Sequence, residues 1–136
     1  MESIKGISLH YYKYSESSVI AKIFTENYGL QSYVLKGVRN KTSKNKLSYL
    51  HPLNIVSLEV SVNKNKGLPF VKEIHSEYNL SATFSDMQKK FICMFISEVL
   101  MRVLVEKETD NHLYNFTEKT IAYLNKTEEL NKNFVI

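Results

Sequence analysis

The chain is short of the residues on which several classes of protein depend. Its 136 residues include one cysteine, no tryptophan, two prolines and four glycines. The single cysteine, Cys93, excludes an internal disulfide framework and a zinc site built from several cysteines, and it is typical of a reducing compartment. The longest apolar run, residues 91–105, includes Glu98 and Arg102, whereas a bilayer span needs roughly 20 apolar residues. The start of the chain also lacks the apolar core of a signal peptide, so we expect a cytoplasmic protein.

Residues suited to catalysis are also scarce. Residues 1–80 contain no aspartate, and their six glutamates are dispersed, so the clustered carboxylates of a two-metal nuclease are missing. The sequence has no glycine-rich phosphate loop with its Lys-Ser/Thr pair. The four histidines are scattered without metal-ligand spacing. We therefore predict a non-enzymatic protein without a metal or cofactor of its own.

Positive charge is concentrated in one short stretch. Residues 1–80 carry eleven lysines or arginines against six acids, residues 81–136 carry seven against eight, and no acid occurs between residues 27 and 58. Residues 36–46, which we call the basic loop, hold five cations: Lys36, Arg39, Lys41, Lys44 and Lys46. Glycine, asparagine, threonine and serine separate them, and their donors can reach phosphate oxygens. This pattern suits a nucleic-acid partner, and a solvated connection that only maintains solubility stays open as the alternative.

The first 80 residues have the pattern of a small all-β unit. Five apolar or β-branched runs separated by short turns predict strands at residues 4–12, 19–25, 30–36, 53–63 and 70–78. Val56, Leu58 and Val60 alternate with polar residues, which indicates one buried and one wet face. Residues 27–29 form a tight connection in which Gly29 can take positive φ. The longest connection follows the third strand and has room for one short helical turn at residues 47–50. Together these features predict a five-stranded OB-fold barrel.

A helical segment follows the barrel, so the fold class is β + α, with an OB-fold domain at residues 1–80 and a helical domain at 81–136. Ser85 is the predicted N-cap of a helix over residues 87–106. Its apolar residues cover more than half of its surface, which predicts packing on several sides. A second helix is predicted over residues 112–125 and a third from residue 128 onward. The expected helical core residues are Phe84, Met87, Phe91, Met94, Phe95, Leu100, Met101, Leu104, Val105, Leu113, Phe116, Ile121 and Leu124.

The order of several short motifs resembles the N-terminal region of RecO, the family of bacterial recombination mediators. The motifs are Gly6-Ile7-Ser8-Leu9, Tyr14-Ser15-Glu16-Ser17, Ile23-Phe24-Thr25, Gly29, Lys36-Gly37-Val38-Arg39 and His51-Pro52-Leu53. The resemblance implies an OB-fold followed by a helical domain. It implies binding of single- and double-stranded DNA, strand annealing, contact with the tail of single-strand-binding protein, and RecA loading together with RecR. This chain departs from the family in being shorter and in lacking the cysteine cluster that often binds zinc.

The residues predicted to contact nucleic acid are therefore the five cations of the basic loop and, as base-stacking rings, Tyr12 and Tyr33. Arg39 is the strongest single candidate, because its planar fork can hold a phosphate at two points. For most of the tyrosines, core packing is the favoured interpretation. Because Tyr11 and Tyr12 are adjacent, a regular strand would expose at most one of them. Two other functions stay open: an adaptor whose basic loop binds an acidic partner tail, and an RNA-binding OB module.

Overall fold

The computed structural model describes residues 2–38, 46–61 and 67–127. Five strands form a closed barrel with the order β1-β2-β3-β5-β4, and β4 pairs again with β1. All neighbours are antiparallel except β3 and β5. This is the strand order of an OB-fold, so the predicted fold class is confirmed. The strands are β1 Glu2–Lys13, β2 Val19–Thr25, β3 Gly29–Leu35, β4 Ile55–Ser61 and β5 Phe70–Ser76.

The barrel interior follows from the alternation of apolar residues along each strand. In β4, Val56, Leu58 and Val60 are buried inside while Ser57 and Glu59 are partly exposed. A short 3₁₀ helix, Lys46–Leu50, lies in the connection between β3 and β4 and contributes Leu50 to the interior. The fourth strand, predicted at residues 53–63, is thus confirmed over Ile55–Ser61, and the helical turn predicted at residues 47–50 is confirmed as well. Residues 62 and 63 of the predicted fourth strand, and residues 39–45 of the basic loop, lie outside the described residues.

Three helices follow within residues 67–127: α1 Ser81–Ser85, α2 Met87–Val103 and α3 Asn111–Lys126. The prediction of Ser85 as N-cap is wrong. Ser85 ends α1, and the side chain of Asp86 caps α2 by accepting hydrogen bonds from the backbone N–H groups of Gln88 (3.0 Å) and Lys89 (3.2 Å). A carboxylate suits this position because it also faces the positive end of the helix dipole. The third predicted helix, from residue 128, lies outside the described residues.

The end of α2 also differs from the prediction. Leu104 leaves the helix with φ −76° and ψ 137°, so α2 stops three residues before Glu106. Residues 104–110, which we call the clamp, then run alongside the start of β3. The N–H of Lys107 donates to the carbonyl of Leu30 (3.0 Å), and Glu106 forms a parallel bridge with Leu30 and an ion pair with Lys22. Pairing with a strand therefore replaces the last predicted turn of helix.

A second core joins the helices to the outside of the barrel. Ile7, Leu9 and Phe24 from the strands pack with Cys93 and Leu100 of α2 and with residues of α3. Cys93 is buried and behaves as the small hydrophobe that was predicted. The Lys5 amine and the Glu118 carboxylate lie 2.7 Å apart and add a polar link between β1 and α3. The division at residue 80 stays a prediction, since this core is shared across it.

The expectation that α2 packs on several sides is wrong. Its buried side chains are confined to one face, and the opposite face presents large apolar groups to solvent. On α3, Phe116 is 68% exposed although it was predicted to be core, while Tyr114 and Thr117 are buried instead. No helix in the described part of the chain is long and apolar enough to cross a bilayer. The exposed apolar residues of α2 and of the clamp are Met87, Phe91, Met94, Phe95, Val99, Val103 and Val105.

Candidate nucleic-acid interface

The two described ends of the basic loop lie at the same end of the barrel. Lys36 follows the last residue of β3, and Lys46 begins the 3₁₀ helix. The amine of Lys36 sits 3.8 Å from the centre of the Phe70 ring, a cation–π contact that fixes it near the start of β5. Arg39, Lys41 and Lys44 lie outside the described residues, so their roles stay predictions.

A cleft opens between these two lysines. It encloses about 360 Å³, within the roughly 300–1,000 Å³ typical of ligand-binding clefts. Its position follows from the pairing of the strands: in the described residues, β3 and β5 share a single parallel pair, Val34 with Phe70. The hydrogen bond from the N–H of Val34 to the carbonyl of Pro69 (2.9 Å) is one of the bonds that make this pair. We call this space the seam cleft; its lining residues are Leu35, Lys36, Val38, Lys46, Tyr49, Val71, Lys72, Glu73, Ile74 and His75.

The electrostatics of the seam cleft are positive. Three lysines line it, and Lys72 of β5 joins Lys36 and Lys46 from the basic loop. Among the described residues that line the cleft, Glu73 is the one carboxylate. It lies 3.5 Å from the His75 imidazole, and both side chains are well exposed. Sequence reasoning missed Lys72 because it is an isolated cation in the sequence, and only the closure of the barrel brings it beside the basic loop.

The two tyrosines predicted to stack on bases have different environments. Tyr12 is 45% exposed and its ring makes an edge contact with His10, with centroids 4.6 Å apart. Tyr33 is only 3% exposed and packs inside the barrel with Leu35, and its burial raises the pKa of the phenol to about 12. The prediction for Tyr33 is therefore wrong, because an enclosed ring offers no face to a base. Tyr11 is exposed as well, so the expectation that only one of the adjacent tyrosines is accessible also fails.

Other groups with possible chemistry are dispersed. His51 stacks on Phe84 with centroids 4.9 Å apart, and its burial, together with the nearby charge of Lys90, lowers the pKa of the imidazole. Burial raises the pKa of the Cys93 thiol to about 11, which keeps it protonated and unreactive near neutral pH. Among the described residues, no three His, Cys, Asp or Glu side chains are grouped so that they would hold a metal ion.

The closed barrel, the seam cleft and the helices packed on the outer wall define an OB-fold protein with a cationic opening at one end. The family model described as "Recombination protein O N terminal" matches residues 1–78, more than half of the sequence. The chain therefore belongs to the RecO family, as the resemblance of its motifs predicted.

Relatives from several bacteria agree with this assignment. A protein of Flavobacterium psychrophilum named "DNA repair protein RecO" is 34% identical over 128 residues, which cover 93% of this chain and 53% of that protein. A protein of the same name from Flavobacterium johnsoniae is 32% identical over 134 residues, covering 97% of this chain and 56% of that protein. In Azobacteroides pseudotrichonymphae the identity is 28%, over 96% of this chain and 54% of the relative. The chain thus spans about half the length of these relatives.

Proposed function

We propose that the protein is a non-enzymatic DNA-binding and strand-annealing module that acts in recombinational repair in the cytoplasm. In this role it would assist RecA loading together with a RecR-like protein and single-strand-binding protein. Membership of the RecO family and the name carried by its relatives support the repair role. The observation that carries the proposal is the cationic opening of the barrel, where Lys36, Lys46 and Lys72 line one cleft.

The mechanism is neutralisation of phosphate charge. Two DNA strands repel each other, and a surface that binds both backbones lowers that repulsion so that bases can pair. Arg39 and Lys41 continue the row of cations between Lys36 and Lys46. If the five cations of the basic loop each neutralise one phosphate of a single strand, the logarithm of affinity falls with the logarithm of salt concentration with a slope of about −3.5. Affinity then drops about a hundredfold between 50 and 200 mM salt.

Mobility shifts with single-stranded DNA, duplex DNA and RNA, repeated across salt concentrations, test the proposal. We expect tight, salt-sensitive binding of DNA by the parent chain, and loss of both binding and annealing in the double variant Arg39→Glu, Lys41→Glu. The matched control is Lys90→Glu with Lys119→Glu, which reverses two exposed lysines on the helices and should leave DNA affinity within about twofold. Equal, weak and salt-insensitive binding of all three nucleic acids would refute DNA binding, and clear preference for RNA would support the RNA-binding alternative.

The same double variant separates a functional from a structural basic loop. If the loop acts only through its charge, we expect the thermal transition of this variant to stay close to that of the parent chain, because substitutions that remove no packing contact usually change stability by less than about 0.5 kcal/mol. Loss of the folded state in the Arg39, Lys41 variant, with the control still folded, would show that the loop supports the barrel instead.

A second role, protein binding, is favoured by the exposed apolar row on α2. Phe91 and Phe95 project from this helix, and Phe95 is 70% exposed. Lys90 lies three residues after Met87 and four before Met94, so it sits beside the row on the helix surface. We propose that this face takes an acidic tail with an apolar tip, such as that of single-strand-binding protein. Fluorescence anisotropy with such a peptide should show binding that Phe91→Ser weakens at least tenfold; unchanged binding would remove α2 from this role.

A further inference from the structure

We propose that the seam cleft holds one unpaired nucleobase while the lysines at its rim bind the flanking phosphates. This deepens the proposed function and depends on it: the barrel would bind DNA by inserting a base as well as by charge. The ligand is a single-stranded nucleotide segment, recognised by the flat apolar face of a base and by the charge on either side of it. Such a site would prefer single strands to duplex, because a paired base is unavailable for insertion.

The walls of the cleft suit an apolar ring. Val38 and Ile74 are buried, and Val71 and Tyr49 are half-buried against the same barrel core. Tyr49 comes from the 3₁₀ helix and Val71 from β5, so the opening is bordered by two separate elements. The aromatic ring of Tyr49 would provide the stacking surface, and stacking on a ring does not depend on which base is bound.

The rim of the cleft suits phosphates. Lys36 and Lys46 come from the two ends of the basic loop and Lys72 from β5, so cations reach the cleft from different segments of the chain. Lys36 is held over the Phe70 ring at 3.8 Å, while Glu73 has His75 as a neighbour at 3.5 Å. A groove of positive charge that follows the backbone, with a ring for base stacking, is the general design of single-strand binding sites in OB-folds.

Removing the bases while keeping the phosphates tests the proposal. The full chain is titrated with a thymidine oligonucleotide of about 15 nucleotides and with a strand of equal length whose sugars carry no base. We expect the abasic strand to bind roughly 5- to 150-fold more weakly, the range that corresponds to loss of one base stack, with the same salt slope for both strands. Equal affinities would overturn base insertion and leave the proposed function intact, whereas failure of both strands to bind would defeat the proposed function itself.

Substitutions in the cleft test whether the difference in affinity between the base-bearing and the abasic strand arises from the residues that line it. Tyr49→Leu removes the ring but keeps apolar volume, and we expect it to lower the preference for the base-bearing strand at least fivefold. Tyr123→Leu, at an exposed tyrosine of α3, should leave that preference unchanged. Val71→Met adds volume to the cleft from β5 and should have the same effect as Tyr49→Leu. Either variant can therefore serve as the test if the other fails to fold. Full preference in a folded variant of Tyr49 or Val71 would overturn the assignment to this cleft.

Discussion

Replacing Gly29 with alanine tests how the clamp fastens the helices to the barrel. Gly29 begins β3 with φ 69°, a left-handed conformation that glycine adopts without steric cost. A Cβ built at this position would lie 2.1 Å from the carbonyl oxygen of Glu108 and 2.6 Å from its carbonyl carbon. The backbone of the clamp therefore occupies the space that any side chain would need, and the clamp must move if Gly29 is replaced.

The cost can be worked out from these contacts. The left-handed backbone costs alanine roughly 1–2 kcal/mol. Displacing the clamp threatens the hydrogen bond from Lys107 to Leu30, worth about 0.5–1.5 kcal/mol, and the Lys22–Glu106 ion pair, worth about 0–1 kcal/mol. We therefore expect Gly29→Ala to lower the free energy of unfolding by about 2–4 kcal/mol, a large part of the roughly 5–15 kcal/mol of an ordinary domain.

Equilibrium unfolding in urea, followed by circular dichroism because the chain has no tryptophan, measures this change. Gly37 is the matched control: its φ is 72°, so Gly37→Ala carries the same backbone cost without touching the clamp. The difference between the two variants then reports the clash with Glu108. If the free energies of unfolding of Gly29→Ala and Gly37→Ala agree within about 0.5 kcal/mol, the clamp is refuted as a stabilising element. The threshold is set at this value because the effects of substitutions at separate sites are additive only to within about 0.5 kcal/mol.

Three further predictions concern the core and its polar links. Glu118→Gln should lower the melting temperature, with a loss of about 1 kcal/mol, because it removes the charge that faces Lys5 at 2.7 Å across the barrel–helix boundary. The buried hydroxyl of Tyr114 has no hydrogen-bond partner among the described residues, so Tyr114→Phe should raise stability by about 1 kcal/mol in urea unfolding, and a loss would reveal a hidden partner. Burial raises the pKa of Cys93 from 9.0 to about 11 and of Tyr33 from 10.0 to about 12. Since the folded state holds these protons more tightly, stability should be full below about pH 9 and fall as the pH rises toward 12; constant stability over that range would contradict their burial.

The barrel was predictable from the sequence because strand alternation is a local signal. Val56, Leu58 and Val60 reveal a buried face without knowledge of what covers it. Val19–Thr25 was predicted with both of its ends correct, since polar residues bound it on each side. The positive φ of Gly29 was also predicted, but the reason that no side chain fits there was not: the contact with Glu108 joins residues far apart in the sequence.

The helical part was less predictable because apolar residues are not always buried. The expectation for α2 treated Met87, Phe91 and Phe95 among others as core, but burial is a one-way rule: interiors are apolar, while surfaces also carry much apolar area. The pattern around α2 has no polar stripe wide enough to mark the outer face, so Phe91 and Phe95 gave no sign of their exposure. Tyr33 illustrates the same limit in the site. Its residue type suggested stacking on a base. It is identified as core only because it lies two residues from the interior Leu35, on the same face of β3.

The two ends of β3 separate stability from ligand binding. Gly29, at its start, lies under the clamp, while Leu35, at its end, lines the seam cleft. Six residue steps of about 3.3 Å place these ends roughly 20 Å apart, beyond the range in which two substitutions usually couple. Loosening the helices at Gly29 should therefore leave the affinity for DNA unchanged so long as the barrel stays folded, and altering the seam cleft should leave the clamp intact. One end of β3 contacts the helical part and the other end lines the solvent-exposed seam cleft. The helices can therefore stabilise the barrel without affecting ligand binding, and ligand binding need not affect the packing of the helices.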